Sequence, residues 1–167
     1  MDNLEPIVLY PAKILQRIGN DKTILQLLAN DNTVTADSPE AELIFKNHLF
    51  DYGYVNDTVQ EHGAFICIET DMAKLSSETM AKWVLYIDVF CHRDFMKLDP
   101  TIFPKMVGNR RDNLVKAISD AVDGFNVIGL GTLNIQNIHT VSAPTVFTCR
   151  EMKFQVPDFA NHYEVSI

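Results

Sequence analysis

The stretch KWVLYIDVFCHRDF, residues 82–95, decides the fold because its apolar residues alternate along one long strand. Successive side chains of a β-strand point to opposite faces of a sheet. One face of this strand would be wholly apolar, and the other would mix apolar and polar residues. The pattern therefore predicts a strand that is buried on one face and partly covered on the other. The apolar face consists of Trp83, Leu85, Ile87, Val89 and Cys91.

The end of this stretch places four residues of catalytic type side by side, Cys91, His92, Arg93 and Asp94. Nucleophilic catalysis would need the thiolate and the imidazole on the same side, within hydrogen-bond reach. Neighbouring strand residues instead point to opposite faces. We therefore interpret Cys91 as a core thiol and the next three residues as the exit of the strand to solvent, and we assign no catalytic residue.

Composition indicates one globular domain over residues 1–167, with an extended N-terminal segment at 1–10 and a C-terminal tail at 158–167. Of the 167 residues 47% are hydrophobic and 22% are charged, which is typical of globular chains. The net charge of −8 argues against specific nucleic-acid recognition and against binding to anionic membranes. We also find no apolar run near the roughly 20 residues that cross a bilayer.

Cysteine and histidine spacing predicts neither disulfides nor a metal site. The three cysteines are odd in number and widely separated, which favours a reducing compartment, the cytoplasm. Zinc sites usually show close ligand pairs, whereas the five histidines are scattered singly. The string GLGTLN, residues 129–134, lacks a third glycine and precedes a strand, so no cofactor is assigned.

The N-terminal part reads as helical. Pro11 suits a first helical turn, and Asp21 suits the N-cap of a second short helix. Ser38-Pro39 predicts the start of a third. The following segment, NHLFDYGYVNDTVQEHGA, reads as a long connection, and AFICIETD as a strand.

The C-terminal part reads as a helix followed by two strands. AKLSSETMA is predicted to be a polar link before the long strand, and Asn109 to cap the helix RRDNLVKAISDAVDG. A strand with a slipped register near Gln136 follows. In the last strand, TVFTCREMKFQV, the apolar residues change parity, which predicts a bulge or a sharp bend around residues 150–151. Pro157 is predicted to end this strand.

This order predicts an α+β fold, a mostly antiparallel β-sheet packed by N-terminal helices and one inserted helix. One group of residues lies outside its periodic elements. Aromatic residues crowd the segment after the third helix, and either they form a contact surface or the segment lies across the sheet and completes the core. Phe159 and the tail pose the same choice. The candidate contact residues are Phe50, Tyr52, Tyr54, Val55 and Phe159.

The element order, with its AFICIE and WVLYIDVF strands, resembles the tail terminator proteins of long-tailed bacteriophages, also called neck or tail-completion proteins. The resemblance spans roughly residues 11–156 in order and size. It implies a structural, non-enzymatic virion protein of the head–tail junction, made in the bacterial cytoplasm. It also implies a homo-oligomeric ring, commonly a hexamer, that caps the tail tube and docks to the head connector or a head-completion protein. It fixes no contact residue by motif.

Two alternatives stay open from the sequence. The chain could be another phage assembly protein, such as a head-completion or tail-tube subunit. It could also be a small cytoplasmic enzyme that uses Cys91 or the scattered carboxylates.

Overall fold

The fold is built on one mixed sheet of five strands, in the order β1-β2-β3-β5-β4. The computed structural model describes residues 5–56, 58–77, 80–126 and 132–159. The short first strand pairs in parallel with the second, and the other neighbours are antiparallel. The predicted α+β fold with a mostly antiparallel sheet is confirmed. The strands are β1 (Leu49–Phe50), β2 (Ala64–Ser77), β3 (Met80–His92), β4 (Asn134–Val141) and β5 (Phe147–Phe159).

Helices cover one face of the sheet, and that side holds the main core. α1 packs against β2, and α4 packs against β3 and β5. The stripe from Trp83 to Cys91 points into this core, and all five of its side chains are at most 1% exposed. In the described part of the chain, no helix has the length and apolar character that crossing a membrane requires. The helices are α1 (Glu5–Ile18), α2 (Lys22–Ala29), α3 (Pro39–His48), α4 (Arg110–Val122) and a 3-10 turn (Arg93–Phe95).

Local capping chemistry determines where the helices begin, as predicted. The Asp21 carboxylate accepts from the Ile24 amide at 2.9 Å, and the Asn109 side chain accepts from the Asp112 amide at 2.8 Å. Pro11 was misplaced, because α1 begins by Glu5 and the proline lies inside it. Its ring removes one helical hydrogen bond, yet packing of the apolar face of α1 holds the helix together. Residues 5–10, expected to be extended, are therefore helical.

The predicted polar link between the first two long strands is wrong. β2 continues to Ser77 and β3 begins at Met80, with cross-strand partners as far as Ser77 and Met80. Backbone hydrogen bonds form the strand ladder whatever the side chains are, so the polar composition of this stretch does not exclude a hairpin. Glu78 and Thr79 lie outside the described residues.

The predicted bulge in the last strand is also wrong. β5 pairs with β3 without interruption, from Phe147 opposite His92 to Phe159 opposite Met80. The parity changes because the strand is buried first on one face and then on the other. Phe147 and Cys149 point away from the helices, whereas Met152 and Phe154 enter the main core. The irregularity lies in β4, between Ile135 and Asn137, where the sequence predicted a slipped register.

Pro157 does not end β5, because it pairs opposite Lys82 and the strand continues to Phe159. The last residue of β5 that pairs with β4 is Gln155. Beyond it one side of β5 has no partner among the described strands, and proline is tolerated where its missing N–H would face such an open side.

Candidate functional site

The thiol of Cys91 is not part of a catalytic pair. Its side chain is 0% exposed, and its sulfur lies 3.6 Å from the backbone carbonyl oxygen of His92. Burial raises the pKa of the thiol to about 12. The His92 ring is on the opposite face of the sheet, edge-on to Phe147 at 5.4 Å between ring centroids. A buried thiol with a raised pKa is a poor nucleophile, which agrees with the interpretation of Cys91 as a core residue.

Aromatic rings cover one end of the outer face, by which we mean the face of the sheet opposite the helices. Phe50 stacks on Tyr54 at 4.0 Å between centroids, and Tyr54 lies 5.4 Å from Phe65 of β2. Phe65 in turn meets Phe147 of β5 edge-on at 5.9 Å. These rings form a second, smaller core on the side without helices.

The segment that covers this end of the outer face contains most of the predicted contact residues. We call it the covering segment, and it consists of Phe50, Tyr52, Tyr54, Val55 and Val59. Phe50 is 7% exposed, and Tyr54 and Val55 are half-buried against the small core. Tyr52 is 53% exposed and touches Phe50 only with its ring edge, at 5.4 Å. The structure thus brings four of the five together and divides them into three packed residues and one open one.

Phe159, the fifth predicted contact residue, is separate from this group. Its backbone closes β5 opposite Met80, at the other end of the sheet from Phe147. Its side chain and residues 160–167, the predicted tail, lie outside what the structure describes.

The rest of the outer face mixes apolar residues such as Val84 with polar ones, and it carries the half-buried carboxylate of Asp88. Burial, reinforced by Glu151 and Glu69, raises the pKa of Asp88 to about 6, against a smaller opposing effect of His139. Among the described atoms, one buried oxygen of Asp88 has no hydrogen-bond partner. His139 lies 3.4 Å from Glu151. A buried carboxylate oxygen without a hydrogen-bond partner costs free energy. A hydrogen-bond donor that covered this oxygen would reduce that cost.

Both lateral edges of the sheet are open among the described strands. β4 forms one edge, and most of its side chains are exposed, including Ile138 at 40%. On the opposite edge β1 pairs only with Ile66 and Cys67, so β2 lacks a described outer neighbour from Ile68 onward. Open strand edges present unpaired N–H and C=O groups that readily accept another strand.

Sequence reasoning missed one group of side chains. The fold brings His62 over His92, with ring centroids 4.2 Å apart, and both rings lie near the carboxylate of Asp94. His92 and Asp94 are close in the chain, but His62 arrives from the loop before β2. Only the pairing of β2 with β3 brings them together, so no close spacing along the chain marks this group.

Comparison with known families gives a match that covers most of this fold. The family model YomW matches residues 21–156. The chain belongs to the YomW family. The matched region begins at the N-cap of α2 and ends within β5, so the YomW region contains all of the sheet except the last three residues of β5, and it contains the outer face described above.

The other comparisons add little to the YomW assignment. No curated protein matches the sequence. Among solved structures, a chain described as "Virion of native gene transfer agent (GTA) particle" is 17% identical, with 74% of this chain and 87% of that chain covered, at a TM-score of 0.47. A likeness of that size carries no argument about the fold or the role of this YomW-family chain.

Proposed function

We propose that this chain is a structural subunit of a phage-type virion, located at the head–tail junction, where it forms a ring that ends the tail tube and docks to the head connector. The proposal joins the sequence resemblance to tail terminators with the open edges of the sheet. The open edges carry it, because they are the feature of the fold that calls for a neighbouring copy.

The two open edges favour head-to-tail association, in which one edge of a copy pairs with the opposite edge of the next copy. β4 and the outer part of β2 lie on opposite sides of one sheet. Natural monomers usually protect long edge strands with charges, prolines or a covering element. The described part of β4 has neither a lysine nor a proline, and Ile138 presents an apolar side chain there. A neighbouring strand would satisfy the backbone groups of this edge and cover Ile138.

Exposed apolar side chains on the helical layer support the same role. Val8 of α1 is 74% exposed, and Leu43 and Phe45 of α3 are 60% and 43% exposed. Exposed apolar side chains of this size are available for contact with another protein. A subunit held between a tail and a head needs such surfaces in addition to its contacts within the ring.

The test compares an edge variant with a matched control in light scattering and negative-stain electron microscopy. The wild-type chain is expected to form closed rings. Ile138→Lys places a charge on the β4 edge and is expected to give a folded monomer, whereas Val107→Lys, at an 85% exposed loop residue, should leave the ring intact. Circular dichroism confirms that both variants are folded.

Two results would contradict the proposal. A wild-type chain that remains monomeric at high concentration forms no ring. Long tubes instead of closed rings would identify a tail-tube subunit. A gene position between those for the head connector and the tail tube would support the junction role independently of assembly in vitro.

A further inference from the structure

Three metal-ligand side chains converge where β3 leaves the sheet. Oδ2 of Asp94 lies 3.8 Å from Nε2 of His62 and 3.9 Å from Nδ1 of His92. One donor atom from each residue lies within 4.8 Å of the other two. The backbone fixes this arrangement, because the His92 amide donates to the carbonyl of Gly63, the residue next to His62, at 2.9 Å.

These distances are close to those that a bound ion requires. Zinc bonds of 2.0–2.2 Å in a tetrahedral arrangement place neighbouring donor atoms about 3.4 Å apart. The observed separations exceed this by only a few tenths of an ångström for the two pairs that involve Asp94. The side chains of His62 and Asp94 are 67% and 70% exposed, so both can rotate to close the gap.

The third ligand is held in place. The side chain of His92 is 6% exposed, and its ring packs edge-on against Phe147. Its Nδ1 accepts a hydrogen bond from the Asp94 amide at 3.1 Å, and the same nitrogen lies 3.9 Å from Oδ2 of Asp94. A metal ion would replace that amide as the partner of Nδ1, and the hydrogen bond given up is weak beside a metal–nitrogen bond.

We propose that His62, His92 and Asp94 form a binding site for a divalent transition-metal ion of the zinc type. Two imidazoles and one carboxylate suit zinc, cobalt or nickel rather than magnesium or calcium, which prefer oxygen ligands. Three protein ligands leave a coordination position for water, since the site opens to solvent. The bound ion joins the loop that follows the covering segment to the end of β3, and so fastens the outer cover to the sheet. This proposal is independent of the role at the head–tail junction.

The experiment uses the untagged full chain, with Co²⁺ as the spectroscopic probe and Zn²⁺ as the competitor. One Co²⁺ per chain is expected to bind with a visible absorption band typical of tetrahedral cobalt, and Zn²⁺ should abolish the band. Excess Zn²⁺ should also raise the unfolding temperature, because the ion binds only the folded state. His62→Ala and Asp94→Asn, both at exposed positions, should each weaken binding at least about tenfold.

The matched control is His139→Ala, which removes an exposed histidine from β4 and should leave Co²⁺ binding unchanged. Circular dichroism verifies the fold of every variant, and the buried His92 is left in place. Absence of Co²⁺ binding by the wild-type chain would overturn the proposal. Binding that His62→Ala leaves intact would overturn it as well, since the ion would then sit elsewhere.

Discussion

Arg110 connects three segments through backbone groups. Its side chain is 1% exposed and donates to the carbonyl of Leu27 in α2 at 2.6 Å and to the carbonyl of Phe95 at 2.8 Å. It also donates to the side chain of Asn30 at 2.6 Å and lies over the Phe95 ring, 3.8 Å from the centroid. The planar guanidinium reaches all of these partners at once, which a lysine ammonium cannot do.

We therefore expect Arg110→Ala to lower the free energy of unfolding by about 3 kcal/mol, because it leaves buried carbonyls unpaired and opens a cavity. Arg110→Lys should also cost about 2 kcal/mol, since a single ammonium satisfies fewer partners. Arg93→Ala, at an exposed position, should change stability by less than about 0.5 kcal/mol. Denaturant unfolding measures all three variants. An unchanged midpoint for Arg110→Lys would refute the claim that the guanidinium is needed to reach several partners at once.

The sequence could not reveal this role of Arg110. The pair Arg110-Arg111 followed by Asp112 looks like an ordinary charged helix start. Asp112 is indeed an acidic residue in the first turn of α4. Burial raises the pKa of Asp112, but hydrogen bonds from Arg150, Asn109 and Arg111 outweigh it and lower the pKa to about 2. The partners of Arg110 are mainly backbone carbonyls, one of them 83 residues away, and every residue type has a carbonyl. No residue pattern marks such a contact.

For the helices and strands, contacts between residues close in the chain, such as helix caps, could be predicted from the sequence. Burial by residues far away in the chain could not. The caps Asp21 and Asn109 act within three residues, so a sequence window contains both partners. Burial on the outer face depends on rings that arrive from the covering segment. The change of parity in β5 therefore looked like a bulge, whereas Phe147 is buried by Phe65 from a distant strand. The same separation hid the group formed by His62 with His92 and Asp94.

The covering segment allows a direct test of whether a side chain belongs to the core or to a contact surface. Phe50 is 7% exposed and Tyr52 is 53% exposed, two residues apart. We expect Phe50→Ala to lower the free energy of unfolding by about 3 kcal/mol, as for other buried phenylalanines. Tyr52→Ala should cost about 1 kcal/mol or less, chiefly its edge contact with Phe50, and should weaken self-association. Chemical denaturation at low protein concentration measures stability, and light scattering measures association. Unchanged stability in Phe50→Ala with weaker association would instead make Phe50 a contact residue.

For the whole molecule, the two open edges determine which assembly can close. Pairing β4 with β4 of a second copy would make a two-fold dimer and leave both β2 edges uncovered. Pairing β4 with the outer part of β2 covers both edges and repeats from copy to copy, which generates a ring when the rotation closes. The described part of the β2 edge carries Glu69, Asp71 and Lys74, whereas β4 has no acidic residue and no basic one apart from His139, so the charges of β2 meet no carboxylate or ammonium group when this strand pairs with β4.

This reasoning predicts which positions can be cross-linked between copies. Ile138→Cys and Met72→Cys mark the two edges, and both positions face the helix side of the sheet. The native cysteines at 67, 91 and 149 are buried and should not react. When the two variants are mixed and assembled, a short bismaleimide should join position 138 of one copy to position 72 of another. Ile138→Cys alone should give almost no cross-linked dimer, and Val107→Cys mixed with Met72→Cys should give none. Efficient linkage between two copies of Ile138→Cys would show a two-fold β4 pair, which cannot propagate around a ring and would leave the outer edge of β2 without a partner.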